Sequence, residues 1–239
     1  MTCMETMREK VKETYAAFAL TNQMLPCCGR GYSVVQLKGL PPDATGLSLG
    51  CGNPVALASL QAGEVVLDIG SGAELDVLLA ARKVGPTGKA IGLDVTEAMI
   101  QRARRAAERA GYENVEFCSG DAEEMPLADQ SVDVIISNCA INLTLDKGKV
   151  FHEAYRILRP GGRLMISDIV TDKPLPQTVR EDPDQWARCV AGAIPDDEYA
   201  RLIAEAGFER VLCLHGLNFT SIGDVRVYSA NVSAIKPIQ

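Results

Sequence analysis

The sequence predicts an α/β fold: a mostly parallel seven-stranded sheet with helices on both faces, completed by a terminal antiparallel strand pair. Three observations carry this expectation. Between residues 64 and 170, short runs rich in Val, Ile and Leu alternate with longer segments of helical period, which implies parallel strands joined by right-handed crossovers. Glycine-containing turns close the runs, as at Gly70 and Gly111. Beyond residue 207, two strand-like runs follow each other with no helix between them, the pattern of an antiparallel pair at a sheet edge.

The elements read in order as follows. Met4, Met7, Val11, Tyr15 and Phe18 recur at three- and four-residue spacing, so residues 4–20 form an amphipathic helix ahead of the main fold, placed to act as a lid. Residues 21–60 are rich in Gly and Pro and read as one long irregular segment. EVVLDI (64–69) is a first strand, and LDVLLAARKV supplies a helix to about residue 84. KAIGLDV (89–95) is a second strand, and EAMIQRARRAAERAG is a long helix stopped at Gly111. NVEFCSG (114–120) and SVDVIISN (131–138) are the third and fourth strands. The helix KGKVFHEAYRIL ends at the turn RPGG, and RLMISDIV (163–170) is the fifth strand. A proline-containing insertion, DKPLPQTVREDPDQWARCVAGA, precedes the helix DDEYARLIAEAG and the strand pair FERVLCLHG and DVRVYSANVSAIK.

A chain of 239 residues builds one large α/β domain with excursions. A net charge of -7 gives no basic face for phosphates, which argues against nucleic acid or an anionic membrane as partner. No apolar run approaches the roughly 20 residues of a membrane span, and the charged N-terminus lacks an apolar signal core. A cytoplasmic protein handling a small molecule is the expectation. The 8 cysteines are too sparse for a disulfide scaffold, leaving buried hydrophobes, metal or metalloid ligands, and reactive thiols. None shows Cys-x-x-Cys spacing, so thiols that act together must converge from distant loops.

The turn LDIGSGAELD (67–76) sets Gly70 and Gly72 where a backbone approaches a ligand at a helix N-terminus, although a tight turn needing positive φ also accounts for them. Glu74 stands where a dinucleotide fingerprint has its third glycine. Its carboxylate disfavours pyrophosphate, so a phosphate-free cofactor is expected over NAD or FAD, with the Glu74 side chain turned out of the helix turn or toward solvent. Asp94 ends the second strand 22 residues after Gly72, where a carboxylate accepts both hydroxyls of a ribose or caps a helix. At the end of the third strand, Asp121 is placed to accept from the exocyclic amine of adenine while the Ala122 N–H reaches a ring nitrogen; a turn aspartate is the plainer reading.

With the RPGG turn, these positions resemble the Rossmann-like class I S-adenosylmethionine-dependent methyltransferases over about residues 60–171. The resemblance implies S-adenosylmethionine as cofactor, bound by Tyr15, Asp68, Gly70, Ser71, Gly72, Asp94, Val95, Met99, Asp121, Ala122 and Asn138. Three further stretches, LGCGNPVALASL (49–60), SNCAINLTLDK (137–147) and WARCVAGA (186–193), are similar to those of arsenite methyltransferases and widen the likeness to about residues 10–207. That family implies methylation of trivalent arsenic, presented as arsenite or thiol-conjugated arsenite. Cys139 and Cys189 would hold the arsenic, with Cys51 as a third thiol engaged in disulfide formation or extra ligation. Thioredoxin or glutathione would restore the thiols. The same likeness divides the chain into a cap segment (1–60), a cofactor-binding core (61–171) and a substrate-side segment with the last strands (172–239), expected to act as a monomer. Longer family members carry an additional C-terminal domain.

Two other functions compete: a methyltransferase acting on carbon or oxygen of a small organic acceptor such as a quinone precursor, and a non-catalytic arsenic-binding protein. Cys27 and Cys28 resemble a cysteine of the family's N-terminal region and are read as metalloid capture or as bystanders. Cys118 and Cys213 fall inside strands and read as small hydrophobes, Cys3 as a terminal bystander. Trp186 walls the site or anchors the core, His152 and His215 are structural or exposed, and the runs AEE (122–124) and DD (196–197) read as solvated turns.

Overall fold

The computed structural model describes residues 3–21, 32–40 and 50–238. Seven strands form one sheet: β1 (Val65–Ile69), β2 (Lys89–Asp94), β3 (Val115–Ser119), β4 (Val132–Asn138), β5 (Leu158–Thr171), β6 (Glu209–Ile222) and β7 (Val225–Ile235). Their order is β3-β2-β1-β4-β5-β7-β6. The pairs from β3 through β5 are parallel, and β7 pairs antiparallel with both β5 and β6.

Side chains alternate between two cores, as strands buried on both faces require. Leu67, Ile69 and Ile135 enter the core on one face, whereas Val66, Val134 and Ile136 enter the other. The first face is covered by α6 (Lys147–Ile157) and α9 (Asp196–Glu205), which contribute Phe151, Ile157, Tyr199 and Ile203. The second is covered by α3 (Pro54–Leu57), α4 (Leu75–Val84) and α5 (Glu97–Arg109). In α5 the buried residues Met99, Ile100, Ala103, Ala106 and Ala107 make one stripe, with arginines on the wet side. Polar side chains close the ends: Asn114 donates to the carbonyls of Ala81 and Gly85 beyond α4, and Asp146 caps α6 by accepting the Lys149 N–H.

The N-terminal helix α1 (Cys3–Thr21) packs on α5 and on α8 (Pro183–Trp186). Tyr15, Phe18 and Ala19 sit against Ala73 and Met99, and Arg102 donates to the Ala19 carbonyl. Two single-turn helices, α2 (Val34–Leu37) and α3, interrupt the segment expected to be irregular; a third, α7 (Gln177–Arg180), lies in the insertion. Cys27 and Cys28 lie outside the described residues.

The structure departs from the sequence expectation at two further places. The RPGG turn does not stand between helix and strand. Strand β5 begins at Leu158, and Arg159–Gly162 bulge from it opposite Asp133 alone, because Val132 pairs with Leu158 while Val134 pairs with Arg163. Arg159 fills the bulge by donating to both oxygens of Asp133. Strand β6 also runs past Gly216 to Ile222, held along its length by β7.

Phe151 is fully buried and meets the Tyr199 ring edge-on with centroids 5.4 Å apart. Phe151→Ala is expected to lower the unfolding free energy by about 3–5 kcal/mol, read as a fall in the urea midpoint.

Candidate active site

The loops that leave the carboxyl ends of β1, β2, β3 and β4 enclose a cavity, roofed by Arg8, Val11, Lys12 and Tyr15 of α1. Ligands of open α/β sheets bind at this edge. Its walls are Asp68 through Ala73, Leu75 and Asp76 after β1; Asp94, Val95 and Thr96 after β2; Gly120 through Glu123 after β3; and Asn138, Cys139 and Ala140 after β4. Gly70 has φ +70, and a Cβ there would fall 2.1 Å from that of Ala140, so only glycine suits the turn.

Asn138, the last residue of β4, organises the wall. Its Oδ1 accepts from the backbone N–H of Cys51 (2.9 Å) and of Gly52 (3.1 Å). Its Nδ2 lies within hydrogen-bonding distance of the Tyr32 hydroxyl, the Gly52 carbonyl and Asp76 Oδ2. Tyr32 in turn donates to Asp76, at 2.6 and 2.7 Å from its two oxygens. Three carboxylates crowd beside this network. Burial is the leading cause that pushes Asp68, Asp76 and Asp94 upward; the negative charges of Asp76 and Asp94 add to the shift at Asp68. Asp76 reaches about 6, held there against hydrogen bonds from Tyr32 and Asn138. Asp94 accepts from the N–H groups of Gly72 and Thr96, which ties the glycine turn to the start of α5.

All three cysteines of the family-like stretches meet at one corner. Cys51 and Cys139 are joined by a disulfide with Cα atoms 6.0 Å apart. The Cys189 thiol donates to the Cys139 carbonyl at 3.0 Å, and the Tyr15 hydroxyl lies 3.8 Å from the Cys189 sulfur. In this oxidised form the three sulfurs do not make a ligand set: two are bonded to each other, and among the described residues no group of three His, Cys, Asp or Glu side chains is arranged to hold an ion. Behind Cys189, Trp186 donates to the Leu143 carbonyl, and the buried Lys147 ammonium lies 6.0 Å from the Trp186 ring centroid. Burial brings Lys147 down to about 8 and Asp168 up to about 6, the latter accepting from the Tyr199 hydroxyl.

Of the residues expected around a cofactor, Tyr15, Asp68, Gly70, Ser71, Gly72, Asp94, Val95, Asp121, Ala122 and Asn138 line the cavity. Met99 does not; it is fully buried beneath Ala73 and the rings of α1. Glu74 is also not turned to solvent. Its backbone adopts φ +77 at the start of α4, and that left-handed turn carries the side chain inward, where the residue is completely buried. The run AEE is more than a solvated turn, because Glu123 accepts from the N–H groups of Leu145 and Asp146 and pairs with Arg8 of α1. Cys118 and Cys213 are half-buried in β3 and β6, and both thiols are pushed up chiefly by burial. His152 contacts the Gly148 carbonyl and His215 contacts Asp196, both near the surface.

Sequence reasoning missed Tyr32, Asp76, Thr96 and the α1 cations Arg8 and Lys12. Asp76 had a legible signal, an acid in the first turn after the glycine loop. Tyr32 lies in an aperiodic segment with none.

The buried acids make a pH prediction. An ordinary carboxylate titrates near 3.9, and the fold raises Asp76 to about 6, so the folded chain prefers the protonated form. That contribution is fully present below about pH 4 and is lost as pH rises through about 6. The ligand-free chain is expected to lose on the order of 2 kcal/mol from this group between pH 4 and 7. Asp76→Asn should remove that share of the slope in urea titrations across the range.

Residues 60–207 match the family described as a methyltransferase domain. The chain is 43% identical to an arsenite methyltransferase of Halobacterium salinarum over 87% of its own length and 58% of the relative's, so it spans little more than half of that protein. It is 34% identical to the arsenite methyltransferase of Aquipseudomonas alcaligenes over 96% of its own length and 72% of the other chain. Among solved structures, an arsenic (III) S-adenosylmethionine methyltransferase from Chlamydomonas reinhardtii superposes with a TM-score of 0.73 at 33% identity, covering 85% of this chain and 73% of that one. A family match over most of the chain, a relative covered to 72% of its length and a solved structure of the same fold agree, and the chain belongs to the arsenite methyltransferase family of S-adenosylmethionine-dependent methyltransferases.

Proposed function

We propose that this protein transfers the methyl group of S-adenosylmethionine to trivalent arsenic held by cysteine thiolates. The observation that carries the reading is the convergence of Cys51, Cys139 and Cys189 beside the cavity.

The cavity fits the cofactor. Ser71 and Thr96 line the cavity, and the buried Ser71 hydroxyl has no hydrogen-bond partner among the described residues, so it is left for a polar ligand. Asp68, Asp76 and Asp94 suit a ligand that carries positive charge, since a cation among them relieves their crowding. Asp94 retains acceptor capacity for ribose hydroxyls beyond its two backbone bonds, and Asp121 with the Ala122 N–H suits an adenine edge. When bound, S-adenosylmethionine supplies a methyl group on a sulfonium.

The chain's own residues do the rest. Once the disulfide is reduced, Cys139 presents a thiol on the cavity wall and Cys189 another just behind it. Soft sulfur ligands suit thiophilic arsenic and leave its lone pair as the nucleophile. The Tyr15 hydroxyl contacts Cys189 and lines the cavity, so α1 closes over methyl donor and acceptor together and limits water there. Cys51 is the thiol that closes a disulfide with Cys139 when the site is oxidised, and thioredoxin or glutathione reopens it.

Incubating the reduced protein with arsenite, S-adenosylmethionine and a thiol should yield methylarsenicals by product speciation. Cys139→Ser and Cys189→Ser should each cut that yield at least a hundredfold while calorimetry still reports cofactor binding. Turnover on a quinone precursor that survives both substitutions, with no arsenical formed, would sink the reading. Asp94→Ala is expected to weaken cofactor binding about tenfold to a hundredfold, the loss of hydrogen bonds to a charged acceptor, again by calorimetry.

A further inference from the structure

The two sulfurs of the disulfide belong to residues that line two different openings. Cys139 is 6% exposed and lines the cavity. Cys51 is half-buried and lines a second depression, beside Gln36, Gly52, Asn53, Ser167, Ser229 and Asn231. Among the described residues the two openings share no lining residue; Asn138, holding the Cys51 and Gly52 amides, stands between them. Among the described residues, the second depression carries amides and hydroxyls beside the apolar side chains of Ala56, Leu57 and Ala230, and no charged side chain. Ser167 donates to Asn231 within it. Such a lining matches the peptide groups of a small peptidic thiol.

We propose that this depression is the docking site for a small peptidic thiol that reduces the disulfide by attacking the Cys51 sulfur. The inference rests on the arsenic reading for its purpose and on the two openings for its geometry. The incoming thiolate forms a bond to Cys51 Sγ, the Cys51–Cys139 bond breaks, and Cys139 leaves with the electron pair as a thiolate on the cavity side. A second thiolate attacks the sulfur of the adduct, releases Cys51 as thiolate and departs as the symmetrical thiol disulfide. Two thiols are oxidised, one protein disulfide is reduced, and the protons the two thiols lost are those the two cysteines take up. Attack at Cys139 would instead leave the adduct in the cavity wall, in the way of the cofactor. Attack at Cys51 frees the arsenic-binding thiol of Cys139 while the cavity stays occupied.

The test needs neither arsenite nor turnover. Oxidised protein is pulsed with glutathione, quenched with an alkylating agent and mapped by mass spectrometry, with and without saturating S-adenosylhomocysteine. The glutathione adduct is expected on Cys51, with Cys139 alkylated, at a rate changed less than about twofold by the nucleoside. Asn53→Asp keeps the helix cap, because aspartate accepts the Ala56 N–H as asparagine does. It adds a negative charge beside Cys51. It should slow anionic glutathione relative to cationic cysteamine by about fivefold, the effect of a unit charge some 4 Å away in water. An adduct on Cys139 or on both cysteines, protection by S-adenosylhomocysteine, or an unchanged glutathione-to-cysteamine ratio would each overturn the proposal. Methylation of arsenite with an adduct on Cys139 refutes this inference alone. A Cys51 adduct without any methylation refutes the arsenic reading alone.

Discussion

The amide of Asn138 is the interaction on which the site depends. One side chain at the tip of β4 holds the Cys51 loop, Tyr32 and Asp76 in place. Its neighbours are cut to fit. A Cβ on Gly50 would lie 2.2 Å from the Asn138 amide carbon, and a Cβ on Gly52 would lie 2.5 Å from that of Ser167. The glycines on either side of Cys51 are therefore what lets a loop some 88 residues earlier in sequence come close enough for a disulfide to Cys139. An amide suits the task because it donates and accepts at once. A carboxylate there would meet Asp76 with like charge, and an apolar side chain would leave the Cys51 and Gly52 N–H groups without their acceptor.

Beside that clamp three acids stand where burial disfavours their ionised forms. Such an arrangement lowers the stability of the empty chain near neutral pH and raises the attraction for a ligand that brings positive charge. Stability is traded for affinity in the same side chains. The helix α1 completes the enclosure through ion pairs in its first half, Arg8 with Asp121 and Glu123 and Lys10 with Asp184, and through the rings of Tyr15 and Phe18 farther along. Those pairs are partly exposed, so they are individually weak.

Much of the fold was legible because parallel strands are buried on both faces and read as unbroken apolar runs, such as VVLDI and VDVIISN. Boundaries were less so where the backbone departs from regular geometry: the bulge at Arg159–Gly162 replaces an expected turn, and β6 extends through Gly216 on the strength of its partner β7. The motif residues at strand ends reached the cavity since the register of a parallel sheet carries them to one edge. Met99 did not, because a position in the first turn of α5 can face either the cavity or the helix packed above it, and Ala73 with α1 took it. Glu74 was misread for a related reason: the sequence reports its charge but not the positive φ that turns it inward.

Positive φ also marks the cysteines. Cys139 has φ 58 and Cys189 has φ 64, left-handed conformations in which a side chain with a Cβ carries a strain of order 1 kcal/mol or more. Glycine would relieve both positions, yet the chain keeps thiols there. At Cys139 the strained backbone is held by the bond from its N–H to the Ser167 carbonyl, and its own carbonyl accepts the Cys189 thiol. At Cys189 the N–H is held by the Trp186 carbonyl, whose indole is fixed on Leu143. Each strained residue is thus pinned by contacts of its neighbours, and each pin reaches the loop after β4 or the strand beside it. Strain that is over-determined from several sides at two adjacent thiols marks positions where the direction of the sulfur matters more than the comfort of the backbone.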